Sequence, residues 1–201
     1  MKKDIKYLIE NIVNFNPTDY LEGESDVVDR GDISAICVCP ENLDQLKKLV
    51  AKRLKENPKK PYLKDIDTSL ITDMSGLFNS IHIFVSYNEY FWDYNIDSRD
   101  IEELDLSGWN TSNVMTMEDM FTNCEHLESL NLSGWDTSNV VNMASMFSQC
   151  QSLAKLDLSS FNTYNVTDMY AMFWKCRRLK TIVLSDKWST VNVIDTRSMF
   201  E

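Results

Sequence analysis

Hydrophobic positions recur in a fixed pattern from Ile101 to Phe200. Leu104-Asp105-Leu106-Ser107-Gly108-Trp109 returns as Leu130-Asn131-Leu132-Ser133-Gly134-Trp135 and as Leu156-Asp157-Leu158-Ser159-Ser160-Phe161. A looser copy begins at Ile182-Val183-Leu184-Ser185, so the starts at 104, 130, 156 and 182 share a period of 26. A period of this size indicates stacked coils, because one short coil cannot bury both its faces and must lean on its neighbours.

Within a unit, the L-x-L pair alternates inward on a short strand while Asp105 and Ser107 point outward. Trp109, Trp135, Phe161 and Trp188 form an aromatic column, the last displaced by one residue near Lys187. Asn113, Asn139, Asn165 and Asn192 align as a second column, which predicts a buried amide ladder bonding from coil to coil. The Met-x-x-Met-Phe segments (Met117, Met120, Phe121; Met143, Met146, Phe147; Met169, Met172, Phe173) have the i, i+3, i+4 spacing of a short helix. Cys124, Cys150 and Cys176 follow each phenylalanine by three residues. Cysteines in a repeat column read as small packed hydrophobes, and the methionines as core filling.

Upstream, Ile5, Leu8, Ile9, Ile12 and Val13 predict an amphipathic helix that Pro17 ends. The acidic run from Asp19 to Asp32 lacks the ligand order and glycine of an EF-hand and reads as a solvated loop. A second helix is predicted from Pro40-Glu41 to about Asn57, with Leu43, Leu46, Leu49, Val50 and Leu54 on its apolar side. Its other face, continued by Lys59, Lys60 and Lys64, is the only basic cluster; with no interleaved aromatics it reads as a solvated face. Asp67 to Phe78 aligns with Asn110 to Phe121 at an offset of 43, making it the second half of an entry coil followed by 17 extra residues. That insertion, 79–100, is rich in aromatics, a composition that serves either a binding loop or a packed lid.

These elements predict an α/β solenoid: a leucine-rich-repeat-like array of short strands and short helices over 61–201, behind a mainly helical region over 1–60 that acts as a cap. Charge and chemistry change this picture little. The net charge of −11 argues against nucleic acid as the partner, and nothing approaches the apolar run of a membrane span. Five cysteines, three of them in one column, do not make a secreted disulfide framework. Met1-Lys2-Lys3 is followed by Asp4 and Lys6, not by an export signal, which predicts a cytoplasmic protein, or a surface one if a leader precedes this sequence. Cys37 and Cys39 have no second ligand pair, and His82 and His126 are isolated, so no catalytic residue, metal or cofactor is expected.

The pattern Leu-x-x-Leu-Asp/Asn-Leu-Ser-x-Trp/Phe-Asp/Asn-Thr-x-Asn-Val, then Met-x-x-Met-Phe-x-x-Cys-x-x-Leu, resembles the BspA-like leucine-rich-repeat proteins of bacteria and some protozoa. It covers Tyr62 to the end. The resemblance implies a non-enzymatic, often surface-displayed protein-binding region, in some members linked to host attachment. The expected function is therefore protein–protein interaction, with an acidic decoy for a basic, nucleic-acid-binding protein as the alternative. Candidate partner-binding residues are Glu103, Asp105, Ser107, Asn131, Ser133, Asp157 and Ser159 on the strand face, with Tyr87, Tyr90, Phe91, Trp92 and Tyr94 of the insertion as anchors. The open C-terminal coil adds a homodimer contact as a further expectation.

Overall fold

A computed structural model describes residues 38–79 and 97–201, together with the backbone of 84–87 and 90–93. The predicted N-terminal helix, the acidic run and Cys37 lie outside the described residues. Helix α1, Leu43–Glu56, begins where Asn42 Oδ1 accepts the Gln45 amide (3.0 Å) and ends at Asn57, whose own amide still bonds Arg53 O. Its buried side chains Leu46, Val50 and Leu54 join the same continuous core as the coils that follow. Arg53 pairs with Asp65 and fastens the helix to the entry coil.

Inside the insertion, β1 (Phe84–Tyr87) and β2 (Tyr90–Asp93) form an antiparallel hairpin in the register Phe84 to Asp93 and Tyr87 to Tyr90. A 3-10 turn, Ser98–Asp100, capped by Asp97, leads into the array. There β3 (Glu103–Asp105) pairs in parallel with β4 (Ser129–Asn131), and β5 (Lys155–Leu158) with β6 (Thr181–Leu184), each at an offset of 26. A second parallel ladder joins Asp73, Thr116, Asn142, Asp168 and Asp195. Five successive coils therefore stack in register. The entry coil starts earlier than the sequence alignment placed it, because Leu63 and Ile66 are buried at the positions of Leu106 and Trp109.

The second to fifth coils each turn at three corners, and at each a short polar side chain accepts a bond from the amide two residues on. In the third coil these are Asn131 to Ser133 (3.1 Å), Asp136 to Ser138 (2.9 Å) and Asn142 to Ala144 (2.9 Å). The entry coil has two such corners, at Asp67 and Asp73. Between corners, inward side chains form columns. Phe78, Phe121, Phe147, Phe173 and Phe200 stack nearly face-parallel with centroids 5.2–5.7 Å apart.

The Met-x-x-Met-Phe segments are turns, not the short helices their spacing predicts. A helix needs every amide to bond within its own segment. Here alternate amides leave: Met143, Ser145, Phe147 and Gln149 donate to Asp168, Tyr170, Met172 and Trp174 of the next coil (2.7–3.0 Å). Only Met146, Ser148 and Cys150 bond three residues back. This alternation places Asp119, Ser145, Ala171 and Ser198 at φ of 50–56°, a column where Gly76 supplies the one residue without a Cβ.

Candidate interaction surface

Polar groups inside the array are consumed in joining coils. Buried Thr68, Thr111, Thr137 and Thr163 donate to the next coil's Asn110, Asp136, Asn162 and Ser189 carbonyls (2.8–2.9 Å). The asparagine column donates in the opposite sense, with Asn113, Asn139, Asn165 and Asn192 reaching Ser69, Ser112, Ser138 and Tyr164 carbonyls at 2.7 Å. That ladder lies at the surface instead of the expected interior, because the buried place beside the corner belongs to threonine. Indole Nε1 of Trp109 and Trp135 donates to Leu63 and Leu106 carbonyls (2.9 Å). Phe161 has no such donor; Ser160, where the earlier coils have Gly108 and Gly134, reaches the equivalent Leu132 carbonyl with its hydroxyl (3.3 Å).

The cysteine column is part of the same scheme. Cys124, Cys150 and Cys176 donate to Phe78, Phe121 and Phe147 carbonyls (3.0–3.3 Å). Burial pushes the Cys124 and Cys150 thiols far above their ordinary range, and Cys176 up to about 11. Such thiols are poor nucleophiles and poor metal ligands. His126 is exposed on a turn, and His82 lies outside the described residues.

The strand face is what remains open, and its first coil is already engaged. Lys59 pairs with Glu102 (2.7 Å), Lys60 with Glu103, and Lys64 with Asp105 (2.7 Å). Glu103 and Asp105 thus bind the link from α1, and those lysines of the basic cluster are not simply a solvated face. Ser107 donates its hydroxyl to Asp105 Oδ1 (2.7 Å), and Asn131 Nδ2 reaches the same oxygen (3.1 Å). Asn131, Ser133, Asp157 and Ser159 are exposed. The structure places these seven strand-face candidates on the strands, or the turns just after them, of a ladder interrupted between β4 and β5. Side chains of Tyr87, Tyr90, Phe91, Trp92 and Tyr94 lie outside the described residues, so the predicted anchors are not placed against that ladder.

Sequence reasoning missed a second surface on the flank between the second and third corners, where Met115, Val141, Tyr164, Val191 and Ile194 are exposed. Their signal was present: Tyr164 and Val191 stand where Ser112 and Ser138 stand in other coils, yet repeat reading treats an apolar residue as core by default. At the last coil, Phe173, Leu179, Ile182 and Phe200 floor a groove of about 480 Å³ rimmed by Lys175, Arg177 and Lys180. Among the described residues no cluster of His, Cys, Asp and Glu is placed to hold a metal ion. None of the helices among them is long and apolar enough to cross a membrane.

Constant interior columns, joined coil to coil and carrying varied outer residues, define a tandem-repeat protein of 26-residue coils. The chain belongs to the family described as Mycoplasma protein of unknown function, DUF285, whose family model matches residues 93–201, more than half of its length. No curated protein and no solved structure matches the chain.

Proposed function

We propose that the chain is a leucine-rich-repeat-like solenoid of the BspA type, acting as a non-enzymatic module that binds another protein. The observation that carries the reading is the contrast between inside and outside. Inward positions repeat almost unchanged, as in Leu106, Leu132 and Leu158, or Phe121, Phe147 and Phe173. Outward positions at the strand starts, paired across the same ladders, change from coil to coil, as in Glu103 and Ser129 or Lys155 and Thr181, while the corner residues Asp105, Asn131 and Asp157 keep their type. A frame that repeats its core and varies its exterior presents a patterned surface held rigid by nearest-neighbour packing. The BspA resemblance extends the proposal to display on a bacterial surface and contact with a host.

The test is capture of partners from host-cell and bacterial extracts by the wild-type chain and by the variant Asn131→Arg/Ser133→Arg/Asp157→Arg/Ser159→Arg. All four positions are exposed, but Asn131 and Asp157 also accept the Ser133 and Ser159 amides, so the urea midpoint should fall while circular dichroism stays native. Ser129→Arg/Thr181→Arg, at exposed positions of the same strands that cap no corner, is the second variant in which the loss must also appear. A discrete protein bound by the wild type and lost in the variant supports the module. Capture of nothing, or capture unaffected by the four arginines, removes the strand face from the proposal. Retention of basic nucleic-acid-binding proteins alone, released by moderate salt, would favour the acidic-decoy alternative.

A further inference from the structure

The flank between the second and third corners carries the largest share of the exposed apolar surface. Ten large hydrophobic residues are exposed among the described residues, and six of them lie on this flank: Leu70, Met115, Val141, Tyr164, Val191 and Ile194. Val191 and Ile194 are 72% and 88% exposed. Met115, Val141 and Ile194 occupy equivalent positions in successive coils, Thr167 taking the place between the last two. Every coil contributes at least one, with Met115, Val141 and Ile194 sharing one row and Tyr164 and Val191 another. Exposed apolar side chains therefore recur along the array as a stripe, and a concentration of exposed apolar surface marks interaction sites.

Acidic groups border the stripe on both sides. In the segments 67–75, 110–118, 136–144, 162–170 and 189–197 the carboxylates are Asp67, Asp73, Glu118, Asp136, Asp168 and Asp195. The one cation there, Arg197, is held by Asp195 (Nη2 to Oδ2, 2.6 Å). Nucleic acid and anionic lipid are repelled by such a border, whereas a cationic partner is steered to it. Geometry narrows the partner further. Amides bonded from coil to coil along this flank, Val141 to Met115 O, Thr167 to Val141 O and Ile194 to Thr167 O (2.8–2.9 Å), set the rise at the roughly 4.8 Å of paired strands, within about 0.6 Å of the roughly 5.4 Å pitch of an α-helix. A helix laid along the stripe meets one coil per turn, so its i, i+3/i+4 and i+7 side chains stay in register with rows that recur once per coil. Four such rises span about 19 Å, or about 13 helical residues.

We infer that this flank is a docking site for an amphipathic α-helix of a partner protein, with an apolar stripe bordered by Lys and Arg. The inference rests on the reading of the chain as a protein-binding module and names the partner's chemistry. The probe is a synthetic 18-residue peptide with leucines at i, i+3/i+4 and i+7 and lysines beside them, fluorescently labelled. Its comparators are a scrambled peptide of identical composition and a version with glutamates for lysines. Anisotropy titrations use the full chain at two salt concentrations.

The expected result is saturable binding of the patterned peptide, at least tenfold tighter than either comparator and weakened by salt. Val141→Lys/Ile194→Lys, both at exposed positions, should weaken it at least tenfold without moving the urea midpoint. The strand-face arginine variant described above should leave it unchanged, which separates failure of this site from failure of the module reading. Equal affinity for the scrambled peptide, or for the Lys variant, overturns the proposal. So does self-association of the wild-type chain abolished by Val141→Lys/Ile194→Lys, since the flank would then be covered by a second copy. Tighter binding of single-stranded RNA than of the patterned peptide also overturns it.

Discussion

Replacing Phe147 by alanine should destabilise the chain several times more than replacing Phe200, although both occupy the same column. The Phe147 ring is 0% exposed and lies between Phe121 (5.5 Å, 5° between planes) and Phe173 (5.7 Å, 1°). Phe200 is 68% exposed and stacks on Phe173 alone (5.2 Å). Buried Phe→Ala changes cost about 3–5 kcal/mol, and loss of two aromatic neighbours puts Phe147 in the upper half of that range. About a third of the Phe200 side-chain burial is at stake, so its loss should be roughly 1 kcal/mol. With a urea m-value of about 2 kcal/mol/M, the midpoints fall by about 2 M and about 0.5 M. A double-mutant cycle adds a check: Phe121→Ala with Phe147→Ala should be non-additive by at least about 0.5 kcal/mol, since the rings touch. Equal midpoint losses at Phe147 and Phe200, or an additive Phe121/Phe147 pair, would refute the nearest-neighbour stack.

Ser145→Gly should raise stability by about 0.5–1 kcal/mol, because φ of 54° suits glycine and the gain exceeds the added unfolded-chain entropy; a lower urea midpoint would count against it. Trp109→Phe leaves the Leu63 carbonyl without its donor and should cost about 1–3 kcal/mol beyond the size change; adding Gly108→Ser should recover part, as Ser160 serves the Phe161 coil. At Gly108 an added Cβ meets nothing closer than Lys64 O at 3.6 Å, so absence of rescue would point to another role for the indole. Stability should also fall in acid. Hydrogen bonds from the Ser138 and Ser159 hydroxyls and amides hold Asp136 and Asp157 below the ordinary carboxylate range, and Arg197 holds Asp195 at about 2. Lowered folded-state values stabilise the chain above about pH 5, and that contribution disappears as pH drops toward 2. Urea midpoints independent of pH between 6 and 2.5 would contradict the corner assignment.

Much of the array was legible in the sequence because its columns repeat the same residue types at one spacing. The aromatic, methionine and cysteine columns follow from that, as does α1, whose apolar positions are at helical spacing. What was not legible is where backbone amides go. The Met-x-x-Met-Phe spacing fits a helix, but spacing alone cannot show that Ser145 and Phe147 donate to the neighbouring coil. The first half of the entry coil was not legible because Leu63 and Ile66 precede the part whose residues match, and Ile66 stands where the later coils carry an aromatic. Glu103 and Asp105 looked like free surface because their lysine partners lie about 40 residues upstream. The apolar flank was missed because Met115, Val141 and Ile194 resemble core residues until their exposure is known.

Hydrogen exchange resolved to single amides tests the stack most directly. The amides of Met143, Ser145, Phe147 and Gln149, each bonded across to the next coil, should be the slowest in the chain. Protection should then decline through Met169, Ala171 and Phe173 to the amides of the fifth coil. Uniform protection from the third coil through the fifth, or fast exchange at Ser145 and Phe147, would contradict a fold held together by neighbouring coils.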